Sequence, residues 1–391
     1  MLLTRVIAAR CDRVPIPGRG PAGPALHRRL ASHVARRRPT SADVARLAGV
    51  SRTTVSFVLN EREDARISSE TRQRVLDAAE QLGYHVHAPA RQLAEGASRT
   101  VGLVLRQSPE HVAADALLPE TLRGLVSAAR SDRYRVLVEP LPPGGGTYAD
   151  LVRSHQTDGL VISGPRSDDD ELRQLADDGF PIVLQGALDG VDLPSVDVDN
   201  RAAAARAVGH LTALGHRRIA CITNAPLAYT AAADRLQGYR DAVTAAGLAV
   251  DEELIAEGDF DSTSGERAMR PLLELEEPPT AVFAASDVVA FGVLSTLREA
   301  GLRVPADISL VGFDDIALAA YADPPMTTIH TPAFELGETA GRIVLDLVGG
   351  RTVRTRTVLP TELVVRQSTG PPPPRRAHSP VQGAWNGAGG P

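Results

Sequence analysis

Seven polar residues lie at or just beyond the ends of short hydrophobic runs, where their side chains can hydrogen bond a polar ligand. The runs span residues 159–162, 181–184, 218–223, 281–285 and 308–313. The polar residues are Ser163, Gln185, Thr223, Ser286, Asp287, Asp314 and Asp315. If the runs are strands of parallel sheets, these residues follow the carboxyl ends, where such sheets bind ligands. Their hydroxyl, carboxamide and carboxylate groups suit a small polar molecule.

Asp314 and Asp315 also admit a catalytic or metal-binding interpretation, because paired carboxylates serve acid–base chemistry and bind metal ions. No cluster of His, Cys or Glu accompanies them in sequence, and adjacent carboxylates after a strand often cap the next helix. His85 and His87 form an H-x-H pair, but no further metal ligands lie near them in sequence. We therefore predict no catalytic residue, no metal site and no cofactor.

A second constellation, residues 39–60, has the spacing of two short helices joined by a tight turn. Thr40 can cap the first helix with Asp43, and Gly49 can end it in a left-handed conformation. Ser51 can cap the second helix. A helix–turn–helix that places its second helix in a DNA major groove has this layout. An ordinary helical hairpin has it too, so DNA binding does not follow from this stretch alone.

A third helix over residues 69–82 would complete a small all-α domain over residues 39–84. Apolar residues recur at helical spacing in it, so three short helices can share one core. On the second helix the same spacing leaves Arg52, Thr53 and Phe57 toward solvent. These exposed side chains are the candidates for contact with a partner.

From residue 101 onward, hydrophobic runs alternate with segments long enough for helices. Two further strands are predicted at residues 101–105 and 135–138. Helices are predicted at residues 117–129, 169–178, 200–214, 235–246, 264–273 and 288–300. The alternation predicts parallel sheets in α/β layers. Because the segment is too long for one sheet, we expect two subdomains with a ligand cleft between them.

Length and composition set limits on the class of protein. The 391 residues, 43% of them hydrophobic, suffice for two or three domains with their own cores. No run approaches the ~20 apolar residues of a membrane span, and arginines interrupt the short apolar amino terminus. Cys11 and Cys221 fit neither a disulfide framework nor a zinc site. These features predict a cytoplasmic protein without a membrane partner.

Charge is distributed unevenly along the chain. Residues 1–100 hold 17 Arg and 9 acidic residues, whereas the remainder holds 25 Arg and 39 acidic residues. A basic amino-terminal part indicates contact with a polyanion. By composition, residues 1–38 are expected to be a disordered extension and residues 370–391 a disordered Pro/Gly-rich tail. Residues 85–99 form the predicted hinge, with a short helix over residues 88–94.

These segments together resemble the LacI/GalR family of bacterial transcription regulators. The motifs of the amino-terminal part are TSADVARLAGVSRTTVSFVLN, ISSETRQRVLDAAEQLGY and the hinge ARQLA. Those of the body are HLTALGHRRIACI, RLQGYRDAV, EGDF, ASDVVAFGVLSTLREAGLRVPADISLVGFDD and PPMTTIH. The resemblance implies a helix–turn–helix head on an α/β periplasmic-binding-protein-like core of two parallel-sheet subdomains. It also implies a homodimer that binds operator DNA and a small-molecule effector.

The resemblance also implies the roles of residues that contact DNA. Arg52 and Thr53 fall at base-reading positions of the recognition helix. The positions of phosphate contacts are occupied by Thr40, Ser51, Thr54 and Asn60. Leu93 falls where the family wedges paired leucines from two hinge helices into a minor-groove step. Phe57 replaces an arginine that reads guanine in several members, so we expect a different base preference here, such as contact with a thymine methyl.

In the body, the resemblance implies an effector site between two lobes. Lobe 1 would comprise residues 100–198 and 332–359, and lobe 2 residues 199–330 and 360–369. The implied effector-binding residues are Ser163, Gln185, Arg235, Phe260, Ser286, Asp314 and Thr331. Of these, Arg235 would grip the ligand, Asp314 would bind it and Phe260 would stack on it. Taken alone, Arg235 would more commonly be a surface salt-bridge partner, and only its place in the RLQGY motif outweighs that; Phe260 could be an ordinary core residue.

Two departures from the family pattern bear on the ligand and on assembly. Ser286 stands where sugar-binding members often carry asparagine, and the tail lacks the leucine heptads of tetrameric members, so a dimer is expected. Arginine, an acid and phenylalanine suit a sugar, with a nucleoside or purine as the alternative. A sugar-binding transport protein would explain the body but not the head, and an enzyme explains the motifs least well. Whether the effector releases or strengthens DNA binding is left open by the sequence.

Overall fold

The computed structural model describes residues 39–59, 67–84, 97–142 and 144–374. They belong to two compact units divided between Glu95 and Gly96, here called the head and the core. Asn60, Leu93, the His85–His87 pair and the predicted hinge helix lie outside the described residues, as do residues 1–38 and 375–391.

The head consists of three helices around one small core. The helices are α1 (Ser41–Ala48), α2 (Arg52–Leu59) and α3 (Ser69–Leu82). As predicted, the backbone N–H and the hydroxyl of Thr40 both donate to the Asp43 carboxylate, at 2.9 and 2.7 Å. Gly49 ends α1 with φ of 67°, in the left-handed region that favours glycine. Ser51 caps α2 by accepting from the Thr54 N–H at 3.0 Å.

The core contains two parallel sheets and a short antiparallel pair. The strands are β1 (Thr100–Leu105), β2 (Arg135–Pro140), β3 (Gly159–Ser163), β4 (Ile182–Gln185), β5 (Ser195–Val198), β6 (Ile219–Ile222), β7 (Ile255–Ala256), β8 (Ala281–Ala284), β9 (Ser309–Val311), β10 (Thr328–His330), β11 (Arg356–Leu359) and β12 (Glu362–Val364). The first sheet has the order β11-β5-β4-β3-β1-β2 and the second the order β7-β6-β8-β9, while β10 pairs with β12.

Helices cover the faces of these sheets, as crossover connections between parallel strands require. They are α4 (Pro109–Ala114), α5 (Leu118–Ser131), α6 (Tyr148–Arg153), α7 (Asp170–Asp177), α8 (Asn200–Ala213), α9 (Thr230–Ala245), α10 (Ser262–Leu273), α11 (Asp287–Glu299) and α12 (Ala333–Val348), with 3₁₀ turns at Glu252–Leu254 and Ala317–Tyr321. We call the six-stranded sheet with α4–α7 and α12 lobe 1. The other sheets with α8–α11 form lobe 2.

Lobe 1 is completed by α12, which comes from the far end of the chain and was not predicted as a helix. It packs against α5 so closely that a Cβ on Gly124 would lie 2.0 Å from the Phe334 carbonyl oxygen. A Cβ on Gly337 would equally lie 2.0 Å from the Thr121 carbonyl oxygen. Only glycine permits this approach at both positions. The chain therefore passes between the lobes three times, near residues 199, 331 and 360.

Two predicted boundaries were wrong. Helix α9 begins at Thr230, five residues before the predicted start, because alanines at 231–233 carry no clear apolar period. Gly370 was predicted to begin the tail, yet its carbonyl oxygen lies 2.9 Å from His216 Nε2 and accepts from the Ser309 hydroxyl at 3.0 Å. No helix in the described part of the chain is long and apolar enough to cross a membrane.

Candidate functional site

A cavity of about 180 Å³ lies between the two lobes, at the carboxyl ends of their parallel strands. It is lined by all seven residues implied as effector-binding, which are Ser163, Gln185, Arg235, Phe260, Ser286, Asp314 and Thr331. These residues come from positions up to 168 apart in sequence. The topology alone brings them together, as expected for open α/β sheets.

Among the described residues, Arg235 is the only arginine that lines this cavity, and it is 7% exposed. Its Nε donates to Asn200 Oδ1 at 2.9 Å and its Nη1 donates to the Ala285 carbonyl oxygen at 2.6 Å. Nη1 also lies 3.5 Å from Asp314 Oδ1, and the guanidinium lies 3.7 Å from the centre of the Phe313 ring. Burial lowers the pKa of Arg235, an effect that Asp314 opposes. A surface salt bridge is therefore the wrong interpretation of this residue.

Three carboxylates line the cavity together with Arg235. Burial raises the pKa of Asp314 to about 7 and that of Asp197 to about 6, and it also raises the pKa of Asp115. Asp197 Oδ1 accepts from the Val198 N–H at 2.7 Å, which fixes the carboxylate at the end of β5. At each of these three positions, the hydrogen bonds and charges of the protein do not fully replace the hydration that a charged carboxylate has in water.

Asp115 and Asp197 were missed by sequence reasoning. Asp115 Oδ1 accepts from the backbone N–H groups of Leu117 and Leu118, at 2.9 and 3.1 Å. An acidic residue just before a helix, as Asp115 is before α5, is a recognisable capping signal. Such a signal does not indicate that the acid also faces a ligand. Asp197 lies within strand β5. This strand was not predicted, because its four residues are too few for a clear hydrophobic pattern.

Four buried oxygens in the cavity wall have no hydrogen-bond partner among the described residues. They are Gln107 Oε1, Gln185 Oε1, Asn224 Oδ1 and Thr331 Oγ1. Buried polar atoms in native proteins are nearly always paired with protein, water or ligand. Together with the carboxylates, these atoms offer several hydrogen-bond acceptors, so the wall suits a ligand with many donors.

Phe260 supplies an aromatic face to the cavity. Its backbone is left-handed with φ of 64°, and its ring meets the Tyr229 ring edge-on at 4.9 Å and the His111 ring at 5.2 Å. Phe260 is only partly buried, so it is not a simple core residue. The Tyr229 hydroxyl donates to the carbonyl oxygen of Arg106, which joins the wall of lobe 2 to lobe 1.

Three residues predicted at strand ends do not line the cavity. Thr223 donates to the Ala225 carbonyl oxygen at 2.9 Å and accepts from the Gly258 N–H. Asp287 is fully buried beneath the site and accepts from the Thr328 hydroxyl at 2.6 Å. Burial raises its pKa to about 8.

Asp315 also points away from the cavity, and it pairs with Arg366 at 2.6 Å and His330 at 3.1 Å. Neither a catalytic pair nor a helix cap is therefore formed by Asp314 and Asp315. Within the described ranges, no three His, Cys, Asp or Glu side chains are placed to hold a metal ion.

The second candidate site is the exposed front of α2 in the head. Arg52, Thr53 and Ser51 are exposed, and Phe57 is 37% exposed. The Ser51 and Thr54 hydroxyls lie 2.9 Å apart. Thr40 lies at the start of α1, with its hydroxyl engaged by Asp43. Six of the eight predicted DNA-contacting residues are thus placed on the head, and the other two lie outside the described residues.

The positive charge predicted for the head lies elsewhere. Residues 1–38 hold nine Arg and one Asp, whereas residues 39–100 hold eight Arg and eight acidic residues. The excess that pointed to a polyanion therefore belongs to the amino-terminal extension. The helical head itself offers shape and hydrogen bonds more than net charge.

Comparison with known proteins gives consistent results for both units. Residues 40–86 match the family model of bacterial regulatory proteins, lacI family, and residues 208–369 match a periplasmic binding protein-like domain. The chain is 37% identical over 338 residues to the HTH-type transcriptional repressor CytR of Escherichia coli strain K12. That match covers 84% of this chain and 96% of CytR.

Two solved structures extend the likeness to the fold. A complex of the transcriptional regulator CelR with cellobiose matches with a TM-score of 0.64 and 35% identity, over 85% of this chain and 100% of CelR. A lac repressor dimer bound to operator and the anti-inducer ONPF matches with a TM-score of 0.74 and 30% identity, at the same two coverages. The chain therefore belongs to the LacI family and is a DNA-binding transcriptional regulator with a periplasmic-binding-protein-like effector core.

Proposed function

We propose that the protein is a repressor whose operator affinity is controlled by a sugar bound in the interlobe cavity. The observation that carries this proposal is the set of seven residues, far apart in sequence, that converge on one cavity around buried Arg235. No enzymatic activity is assigned to the cavity. Because both lobes contribute to the cavity wall, a bound ligand can change how the two lobes are arranged.

A sugar is favoured because the cavity wall is rich in hydrogen-bond acceptors. Asp115, Asp197 and Asp314 each present carboxylate oxygens, and each hydroxyl of a sugar can donate one hydrogen bond to such a group. Phe260 offers an apolar ring for the face of the sugar. The CelR–cellobiose complex supports this choice, because a similar chain binds a sugar.

A nucleoside or purine is the second candidate. The observation that favours it is the cluster of Phe260, Tyr229 and His111, in which the Phe260 ring lies within about 5 Å of the other two and can stack on a base. A free purine has fewer donors than a sugar and would leave more of the carboxylate oxygens unpaired, whereas a nucleoside brings the hydroxyl donors of its ribose.

On the DNA side, we assign base reading to Arg52 and Thr53 on the exposed front of α2. Phe57 beside them would select its base by apolar contact rather than by a bidentate hydrogen bond. Phosphate contacts are assigned to Thr40, Ser51, Thr54 and Asn60. Two protomers of a cytoplasmic homodimer would place their heads in successive major grooves of a near-palindromic operator, with Leu93 of each hinge wedged into the minor groove.

Effector binding would act by changing the angle between the lobes. A ligand that contacts Arg235 and Phe260 on lobe 2 and Asp197 on lobe 1 has a different affinity for open and closed arrangements. Such differential affinity is what shifts a conformational equilibrium. The resulting coupling between cavity and DNA is typically ~1–3 kcal/mol.

The test is a thermal-shift screen of the full chain against cellobiose, glucose, xylose, cytidine and adenosine. Asp197→Asn serves as the site variant. We expect a sugar to raise the melting temperature of the wild type but not that of the variant. If only a nucleoside raised the melting temperature, the ligand class would be nucleosides and not sugars. If Asp197→Asn left the shift unchanged, the ligand would bind outside this cavity.

A further inference from the structure

We propose that an arginine-rich edge of lobe 1, here called the rim, binds DNA phosphates outside the head. The rim consists of Arg99, Arg130, Arg133, Arg135 and Arg153, all of them exposed. They lie at the amino ends of β1, β2 and β3 or in the helices that lead into those strands. The proposal rests on the DNA-binding function of the chain and adds a second DNA contact to it.

Backbone pairing gathers the rim into one surface. Thr100 and Arg135 are register partners in parallel strands, and the Arg135 N–H donates to the Arg99 carbonyl oxygen at 2.9 Å. The Arg99 guanidinium lies 5.6 Å from the centre of the Tyr134 ring. Because β1 also pairs with β3, the segment that contains Arg153 reaches the same edge.

Two rim arginines occupy left-handed backbone positions. Arg99 has φ of 52° and Arg133 has φ of 60°, and the neighbouring His155 has φ of 50°. Glycine adopts this conformation with least strain, yet cationic or ionisable side chains stand at all three positions. Such outliers persist where the surrounding structure holds them, and they concentrate at functional surfaces.

The charge balance at the rim is positive. The segments that carry its five arginines, residues 99, 130–135 and 153–158, contain two acids, Asp132 and Asp158. The Asp158 carboxylate accepts from the backbone N–H groups of Ser98 and Arg99, at 2.7 and 2.9 Å. Asp177 and Asp178, before β4, bound the rim on one side. The carboxyl ends of the same sheet carry Asp115 and Asp197 at the cavity.

The rim is also where the chain enters the core. Only residues 85–96 separate the end of the head at residue 84 from residue 97. Residues 39–84 hold six Arg and seven acidic residues, so a net excess of cations near the phosphates must come from outside the head, as the rim and residues 1–38 can supply. Guanidinium groups pair with phosphate in a bidentate manner.

The test compares the salt dependence of DNA binding by three full-length variants. The rim variant is Arg130→Gln with Arg133→Gln and Arg153→Gln. A matched control changes the exposed arginines of lobe 2 in the same way, as Arg217→Gln with Arg267→Gln and Arg298→Gln. A third variant keeps the rim charge, as Arg130→Lys with Arg133→Lys and Arg153→Lys. Fluorescence anisotropy of a labelled duplex of roughly 40 base pairs is measured from about 50 to about 200 mM salt.

Removal of each phosphate contact should reduce the slope of log affinity against log salt by about 0.9. The rim variant removes three arginines from each protomer of the homodimer, so we expect it to lower the slope by about one to five units, and the control and the lysine variant to keep the wild-type slope. Equal slopes for the rim variant and the control would overturn the proposal. So would a lysine variant whose slope fell as far as that of the rim variant. Failure of the wild type to bind DNA at low salt would count against the regulatory function itself.

Discussion

The front of α2 and the interlobe cavity place polar side chains under opposite conditions. On α2, Arg52 and Thr53 are exposed to solvent. In the cavity, Arg235 is 7% exposed and depends on Asn200, Ala285 and Asp314 for its hydrogen bonds and charge balance.

The difference shows why one site can read DNA and the other can report a ligand. Exposed side chains on a rigid helix exchange water for base edges at little cost to the protein, so their removal affects affinity and not stability. Buried charges are coupled to the packing of both lobes, so a ligand that pairs with them also changes the relative stability of lobe arrangements.

The largest effect expected is that of Arg235→Ala. It leaves Asp314 buried without its cationic neighbour, and breaking a buried ion pair typically costs ~3–5 kcal/mol. The core should become less stable and stop responding to effector, while operator affinity without effector should remain nearly intact. Hydrogen exchange measured by mass spectrometry follows the head and the core separately.

The matched control is Arg201→Ala, which removes an exposed arginine paired with Asp241 at 2.5 Å. Surface pairs contribute ~0–1 kcal/mol, so exchange in the core should change little. If the two arginine variants destabilised the core equally, the buried hydrogen bonds of Arg235 would contribute no more to stability than a surface pair.

Arg52→Ala should produce the next largest effect, and only on DNA. Removing one good base contact costs ~1–3 kcal/mol of discrimination, whereas the free energy of unfolding should change by no more than about 0.5 kcal/mol. Arg74→Ala on α3 removes another exposed arginine of the head as a control. Sequence selection from a random DNA pool should show relaxed preference at one base position for Arg52→Ala alone.

Gly49→Ala tests the turn that sets the angle between α1 and α2. The position has φ of 67°, and no atom lies within 4 Å of the added Cβ, so the cost is conformational and about 1–2 kcal/mol. The head should open more readily in hydrogen exchange, with the core unchanged. Equal exchange in variant and wild type would show that the turn tolerates another backbone conformation.

A final effect expected is a pH dependence confined to the core. Asp197, Asp314 and Asp287 have pKa values raised to about 6, 7 and 8, against 3.8 in the unfolded chain. The folded core therefore holds more protons than the unfolded chain between about pH 4 and 8, and the stability from these groups is lost as pH rises through that range. Burial lowers the pKa values of His210 and His216, so the stability from these two groups rises with pH and opposes part of the change.

Calorimetry of Asp314→Asn and wild type at about pH 5.5 and about pH 7.5 checks this sign. The melting temperature of the wild-type core should fall between the two pH values, and Asp314→Asn should reduce the fall. A wild-type core that gained stability with rising pH would contradict the direction given for these three acids.

The same contrast explains what could be predicted from the sequence. The recognition helix is local, because caps, turn and apolar spacing all lie within residues 39–60, and its bounds and exposed residues follow from them. The cavity residues Asp115, Tyr229 and His111 lie in loops or short helices, and only the packing of two lobes makes them neighbours. Helix α12 completes lobe 1 from residue 333 onward, which no local pattern indicates.

The central claim is that occupancy of the cavity changes affinity for DNA, and one titration tests it directly. A labelled operator selected from a random pool is titrated with the full chain, with and without the sugar that raises its melting temperature. A coupling free energy of ~1–3 kcal/mol predicts a change in Kd of about 5- to 150-fold, absent in Arg235→Ala. A sugar that stabilises the core but leaves the Kd unchanged would contradict the claim.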